Sequence, residues 1–392
     1  IKLILTETFG VFAYIFDDFG KKFVIHDPNG ETPSRFLISF ITNGEKGLVE
    51  IADGENYDIG DGDTIRFEEV EGMTELNGKE YQIEIKDKRH FYIGDTSKFG
   101  QYTSVHRSGY GTQVIVPKYV DFLDYSEALC HSEQTVASTF DFCAFGRDQQ
   151  VVLAFTAYHR SLEKNPQQDN ELDGKVSAED LIAAAKEINE ECHIAETVDE
   201  VLLTEFARET SWIISPTCAA FGGIAGQEII KAVSNKFTPI DQFLAMGYVE
   251  SLSSNADDLK FIPQNDRYDP YRAIFGNRHQ DIMMALRYFI IGAGALGCEQ
   301  LKNWALMGVA TKGNGKIFMT DMDSIERSNL NRQFLFRNND IGKMKSDAAA
   351  AAACVMNPEF QIESHQNKIG PESAHIYNDD FYHSLDGVCN AL

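Results

Sequence analysis

Basic side chains are scarce in this sequence. Only 35 Lys and Arg stand against 60 Asp and Glu in 392 residues, a formal charge of −25. That shortage argues against a nucleic-acid backbone or an anionic membrane as the main partner, since each is bound through a basic face. It agrees with solubility and with basic partners. Long apolar runs are missing too: none approaches the roughly 18–20 residues of a spanning helix, and no basic-then-apolar leader opens the chain. Paired cysteine motifs are also absent. Cys130, Cys143, Cys192, Cys218, Cys298, Cys354 and Cys389 are scattered, odd in number and never spaced C-x-x-C. Such a set reads as reduced thiols in a cytosolic or nuclear protein, with neither a disulfide framework nor a zinc site. The sequence starts at Ile1 rather than Met and stops at Leu392 inside an apolar run, so it reads as a piece of something longer.

What is present is ordinary globular material: 43% hydrophobic and 24% charged residues, in a length that suggests two to four domains. From about Phe16 to Val116, turn signals recur at Asp27-Pro28-Asn29-Gly30, Asn43-Gly44, Asp61-Gly62-Asp63 and Asn77-Gly78. Between them lie alternating runs such as Thr64–Phe67 and Tyr81–Ile85, which predict short strands in a small barrel or sandwich. From about Pro117 to Ser211 the pattern turns helical. Ser177-Ala178-Glu179-Asp180 opens an amphipathic run through Ile182, Ala185 and Ile188, and Val201 to Ala207 predicts another helix. Glu163 to Lys175 reads as an exposed loop. Cys218 to Glu228, dense in small residues, predicts a helix buried against another element. A strand follows at Gln242–Tyr248, and Ser251–Lys260 reads as a linker.

The chemistry gathers near the end. Leu286–Ile291 is a short apolar run followed at once by Gly292-Ala293-Gly294-Ala295-Leu296-Gly297, then by a helical pattern, then by a strand Lys316–Thr320 ending at Asp321. Strand, glycine turn, helix, strand and acid is the layout of a nucleotide-binding βαβ unit. Helix N-terminal N–H groups and dipole suit a phosphate, and a carboxylate at Asp321 suits ribose hydroxyls. The glycines alone do not separate NAD from ATP. Further on, Ser328–Phe336 brings amides and the guanidinium of Arg332, and Lys345 opens a helix through Ala348–Ala353. Both segments leave the carboxyl edge of such a sheet, so Arg332 and Lys345 are expected to converge on one polyphosphate, where charge grows during attack at an α-phosphorus. His365 and His193 read as structural, and Cys298, at a helix start that favours a thiolate, as a packing residue.

Gly292–Glu299, Thr320-Asp321-Met322-Asp323, Ser328–Phe336, Ser364-His365-Gln366-Asn367 and Gly370-Pro371-Glu372 resemble the active adenylation domain of the ubiquitin-activating enzymes, with Arg267-Tyr268-Asp269 resembling its entry. Thr8–Phe12, Asp18-Phe19-Gly20 and Glu69–Gly78 resemble the family's first catalytic-cysteine half-domain. Phe221–Lys231 with Lys236–Ile240 resembles the tail of its inactive adenylation half. The resemblance implies an α/β multidomain chain: a Rossmann-like, ThiF/MoeB-type adenylation domain preceded by a small β-barrel-like module and a helical bundle. Its expected segments are an inactive adenylation piece at 1–15, the first catalytic-cysteine half-domain at 16–112, the helical bundle at 113–211, the inactive adenylation tail at 212–262 and the truncated active adenylation domain at 263–392. It implies ATP and Mg²⁺ as cofactors, ubiquitin and ubiquitin-conjugating enzymes as partners, and a cytoplasmic and nuclear location. The residues it assigns to the nucleotide are Gly292, Gly294, Ala295, Gly297, Asp321, Asp323, Asn329, Arg332, Gln333 and Lys345.

The same resemblance leaves parts outside this sequence. The metal-binding acid is expected after Leu392 and the catalytic cysteine further on, so none of the seven cysteines matches the nucleophile and this piece alone is expected to be inert. The arginine of the inactive half is expected before Ile1. Pro270-Tyr271-Arg272 departs from the family's usual Gly-Gln or Asn-Gln. Two other readings stand beside this one: an NAD-linked oxidoreductase, and a non-catalytic scaffold that binds a ubiquitin-like protein.

Overall fold

The structure, a computed structural model, describes residues 1–104, 108–138, 144–164, 176–255 and 259–392. Cys143, most of the expected loop at 163–175 and the middle of the 251–260 piece lie outside the described residues. Strands run β1 (Leu3–Phe9), β2 (Phe12–Asp18), β3 (Phe23–Ile25), β4 (Arg35–Ile41), β5 (Leu48–Ile51), β6 (Thr64–Glu68), β7 (Glu80–Gln82) and β8 (Glu84–Ile85). They continue as β9 (His90–Tyr92), β10 (Tyr110–Val114), β11 (Lys118–Val120), β12 (Phe243–Gly247), β13 (Arg287–Ile291), β14 (Lys316–Thr320), β15 (Ile362–His365) and β16 (Gly387–Asn390). Helices are α1 (Tyr125–Leu129), α2 (Ser132–Thr135), α3 (Arg147–Lys164), α4 (Ala178–Cys192), α5 (Glu200–Glu209) and α6 (Ser215–Ser234). The rest are α7 (Asp269–Phe275), α8 (Asn277–Ala285), α9 (Ala295–Met307), α10 (Lys345–Met356) and α11 (Asp379–His383).

Two compact units divide the chain, and neither is contiguous in sequence. One comprises Ile1–Lys2, Asp18–Leu123 and Gln227–Pro239. Its seven-stranded antiparallel sheet has the order β7-β6-β10-β4-β5-β9-β8, so the two outermost strands are neighbours in the chain. The expected single strand Tyr81–Ile85 is therefore two. Between them Ile83 is buried and pairs with the turn, donating to Asp63 O at 2.9 Å and accepting from Gly62 N at 2.9 Å. One face of the sheet closes over Phe36, Ile38, Val49, Ile65, Phe67 and Phe91, the inward set of a period-two pattern. The expectation of helix from Pro117 onward fails at its first residues. β11 pairs antiparallel with β3, with Tyr119 opposite Val24.

The other unit comprises Leu3–Asp17, Asp124–Gly226 and Ile240–Leu392. Its three-stranded sheet has the order β1-β2-β12, and α3 packs on β12 and on α4, which packs on α5. Phe9, Phe12, Tyr14, Phe155 and Phe206 meet ring to ring between these strands and helices. Ser177 caps α4 as expected, its hydroxyl accepting from Asp180 N, but the buried stripe is Leu181, Ala184, Ala185 and Ile188, without Ile182. α6 buries Phe221 against Ala13 and Ile15. It is buried on one side only, since Ala220, Gly222, Gly223, Ile229, Ile230 and Val233 are exposed.

Cysteine pairing departs from the expectation of free thiols. Cys130 and Cys192 are joined in a disulfide across 62 residues, while Cys218, Cys298, Cys354 and Cys389 are free. Their wide separation in sequence hid the pair, because it is made by α1 and α4 ending side by side. Among the described residues no helix is long and apolar enough to cross a membrane.

Candidate functional site

The last 130 residues build a parallel sheet of order β15-β14-β13-β16. Register sets the site. Ile291 lies opposite Thr320 and Asn390, and Thr320 opposite His365, so all four strands end on one carboxyl edge. The segments leaving that edge are the ones a ligand meets in an open α/β sheet. Beneath them Ile290, Ile317, Met319, Leu301, Ala305, Ala349 and Ala353 form a buried core. The alanines of α10 combine high helix propensity with little bulk, letting this helix lie close to α9 and the sheet.

Each glycine of the turn has its own task. Gly292 has φ +102°, and its N–H donates to Thr320 O at 2.8 Å. A Cβ on Gly297 would sit 2.1 Å from Gly292 O, so only glycine lets the helix start so near the strand end. Around Gly294 a Cβ would meet nothing within 4 Å. That open space lies at the start of α9, whose N-cap is Gly294 itself and has no side-chain cap. Its first N–H groups are thus left to solvent or to an anion. Ala295 is the first helical residue.

Asp321 organises this edge. Its Oδ2 accepts from Ala293 N at 2.7 Å and its Oδ1 from Asp323 N at 2.8 Å. Lys345 then docks twice on Asp323: its backbone N–H donates to Asp323 O at 2.9 Å and its ammonium to Oδ2 at 2.7 Å. The Lys345 side chain is 10% exposed against 58% for Asp323, so the ammonium is held by a carboxylate that opens to solvent. Ser346 Oγ donates to Asp321 O at 3.3 Å. Glycine turn, Asp321, Asp323 and Lys345 therefore form one connected group.

Asn329, Arg332 and Gln333 form a second group, on the turn Arg327–Asn331 and the two residues after it. Asn329 is buried and its Oδ1 accepts from Glu326 N at 2.9 Å. Arg332 does not reach Lys345. Its guanidinium is exposed and bonds back to Ser328 O at 3.1 Å and Asn331 Oδ1 at 3.0 Å. The expected convergence of the two cations is thus absent here, because Arg332 satisfies its donors locally. Gln333 is 4% exposed, and its Oε1 has no hydrogen-bond partner among the described residues. A buried amide oxygen left unpaired is costly unless a ligand or water completes it.

Three contributors escaped the sequence reading. Ala293 gives its N–H to Asp321, Ser346 holds that strand end, and Asp347 accepts from Ser364 Oγ at 2.7 Å and Gln366 Nε2 at 2.8 Å. An acid in the first turn of α10 was the available signal for Asp347. Cys298 is a packing residue: burial pushes its thiol up to about 11, against the lowering by the Leu335 backbone and the Lys345 charge. His365 is held by Tyr377 Oη at 3.0 Å and Glu363 Oε1 at 3.1 Å, a structural pairing. The unusual Pro270-Tyr271-Arg272 has a structural account. Arg272 is buried and binds Asp266 at 2.6 Å and Asp269 at 2.8 Å, while Tyr271 Oη accepts from Ser215 N at 3.2 Å. Among the described residues no group of three His, Cys, Asp or Glu side chains is placed to hold a metal ion.

The ThiF family model matches residues 268–392, and the model of the ubiquitin-activating enzyme E1 FCCH domain matches 44–115. Ubiquitin-like modifier-activating enzyme 1 of Oryctolagus cuniculus is 40% identical over 402 residues, covering 100% of this chain and 37% of that protein. Over its whole length the chain is similar to part of the ubiquitin-activating enzymes. Relatives with the same name in Dictyostelium discoideum and ubiquitin-activating enzyme E1 1 of Triticum aestivum are likewise 40% identical over the whole chain, which covers 38% and 37% of them. It thus spans little more than a third of the curated relatives it matches. Among solved structures, the E. coli tRNA N6-threonylcarbamoyladenosine dehydratase TcdA is 21% identical with a TM-score of 0.29, over 32% of this chain and 49% of that one. The match of a ThiF model to the parallel-sheet segment agrees with the adenylation-type fold.

Proposed function

We propose that this chain forms part of an ATP-dependent ubiquitin-activating enzyme and supplies its nucleotide cradle. The observation that carries the reading is the connected group at the carboxyl edge: an uncapped α9 N-terminus beside open space at Gly294, Asp321 across it, and the Lys345 ammonium held on Asp323. In this reading the nucleotide phosphates lie over Gly294 and Ala295, with Gly297 allowing the close helix start. Asp321 takes the ribose hydroxyls, and Lys345 and Asn329 face the phosphates. The unpaired Gln333 Oε1 fits a group awaiting a donor from the ligand. Arg332 would leave Ser328 and Asn331 to reach the phosphate tail.

The reaction proposed is attack by the C-terminal carboxylate of ubiquitin on the α-phosphorus of ATP, forming the acyl-adenylate and expelling pyrophosphate. Cations placed where that charge develops lower the barrier. Transfer to a cysteine beyond this chain, as a thioester, and delivery to a conjugating enzyme would follow. Mg²⁺ would neutralise the phosphates; the metal-binding acid is assigned by resemblance to the segment after Leu392, and Asp323, open to solvent beside Lys345, would face the metal from this chain. We read the chain as the segments 1–15, 16–112, 113–211, 212–262 and 263–392 named above. The β sheet whose edge strands are consecutive fits a barrel-like module, and α3–α5 fit a helical bundle. A cytoplasmic and nuclear location belongs to the same proposal. In the intact enzyme, Lys345→Ala should cut ubiquitin-dependent ATP–pyrophosphate exchange at least 100-fold, about 3 kcal/mol in the transition state. Unchanged exchange would overturn the phosphate role.

A further inference from the structure

Away from the nucleotide edge, a cavity of about 820 Å³ opens between β1, β2, α1, α3 and the end of α4. Both residues of the Cys130–Cys192 pair line it. Its walls carry charge of both signs: His159 Nε2 lies 2.7 Å from Glu7 Oε2, and Arg160 Nη1 is 2.9 Å from Glu191 Oε2. Tyr125 Oη and Thr156 Oγ1, 3.0 Å apart, add neutral hydroxyls, and Leu5 and Leu129 add apolar surface. The volume lies in the range of clefts that hold drug-sized molecules. Mixed charge over an apolar floor matches a small zwitterion.

The bond sits where it can open without losing its geometry. Cys130 is exposed at the C-terminus of α1 and Cys192 is the last residue of α4. Other bonds hold these ends together. Ser132 Oγ donates to Ile194 O at 3.2 Å in a buried contact, and Asn189 bonds both polar groups of the Ala195 backbone, at 2.8 and 2.9 Å. Opening the disulfide would therefore leave two thiols facing each other across one cavity, ready to re-form it. Among the described residues the bridge is also selective: Cys218, Cys298, Cys354 and Cys389 stay free, which is unlike a secreted disulfide framework and like a redox-responsive pair.

We propose that Cys130–Cys192 is a reversible redox site, reached through this cavity by a low-molecular-weight tripeptide thiol of the glutathione type. The thiolate attacks Cys130 Sγ, on the more exposed of the two residues. A mixed disulfide forms there, and Cys192 leaves as a thiolate that takes a proton from water. A second thiolate attacks the tripeptide sulfur of the mixed disulfide, releasing Cys130 as a thiolate, which is protonated, and the oxidised disulfide of the tripeptide. Two small thiols are oxidised and one protein disulfide is reduced; the oxidised tripeptide drives the reverse. Carboxylates of the tripeptide would face Arg160 and His159, and its ammonium Glu7 or Glu191.

The test equilibrates the intact protein anaerobically in glutathione buffers of graded reduced-to-oxidised ratio. Acid quenching, alkylation and peptide mass spectrometry then read each cysteine. Cys130 and Cys192 should titrate together, their bridged-to-thiol ratio changing at least tenfold across the series while Cys298 stays a thiol. Cys192→Ser should trap glutathione on Cys130. Arg160→Glu should slow that trapping severalfold, while Lys312→Glu on a remote surface should not. A pair that stays bridged in every buffer until the chain is denatured would overturn the proposal. So would a pair that stays reduced in excess oxidised glutathione, or a zinc ion found stoichiometrically on the two sulfurs. The wild-type titration decides even if a variant fails to fold.

Discussion

Replacing Glu209 with glutamine should change how one turn responds to pH. The Glu209 carboxyl is fully buried, its Oε2 accepting from Val11 N at 2.7 Å and its Oε1 lying 3.4 Å from Arg208 Nη2. Burial pushes its pKa up to about 7; the Val11 bond and Arg208 oppose that rise, and Glu205 adds to it. An unfolded glutamate titrates near 4.5. The folded state therefore binds more protons between these values, and the turn should weaken as pH rises through this window. From pH 5 to pH 8 the loss comes to about 2–3 kcal/mol, on the order of 100-fold in an opening constant. Peptide-level hydrogen exchange over Phe9–Phe12, corrected for intrinsic rates, measures that constant. Glu209→Gln keeps an acceptor for Val11 but has no proton to lose. Its protection should thus hold level while the wild type loses protection over the window. Parallel pH profiles for the two proteins would refute the reasoning.

Two further substitutions follow from the glycine turn. Gly297→Ala would put a Cβ 2.1 Å from Gly292 O, so thermal unfolding should show a loss of about 1–3 kcal/mol. Gly294→Val meets open space, so stability should stay within about 1 kcal/mol while nucleotide affinity, read by calorimetry, falls at least tenfold. Arg272→Met leaves Asp266 and Asp269 without their shared cation. A denaturant titration should lose about 3 kcal/mol at neutral pH, whereas a surface ion pair such as Lys312–Asp281 should cost under about 1 kcal/mol.

Local signals carried much of this architecture. The strand, glycine turn, helix and acid from Arg287 to Asp321 lie within one stretch and rely on neighbours in sequence, so their order alone located the edge. The α4 cap was equally local. What escaped depended on partners far apart in the chain. Ile83 splits one alternating run because its bonds go to Gly62 and Asp63, and β11 becomes a strand because β3 is there to pair with it. The disulfide joins residues 62 apart, which spacing rules never compare. At the site, residue types were legible and orientation was not. Arg332 and Lys345 have the charge a polyphosphate needs, yet one bonds to its own turn and the other to Asp323. Conversely, Arg272 broke a family pattern and proved to be a buried structural cation.

Equilibrium dialysis of the intact protein against labelled ATP and, separately, labelled NAD tests the nucleotide assignment most directly. ATP should be retained and displaced by unlabelled AMP, with Asp321→Ala abolishing retention and NAD passing through freely. Retention of NAD, or ATP binding untouched by Asp321→Ala, would contradict the cradle described for this edge.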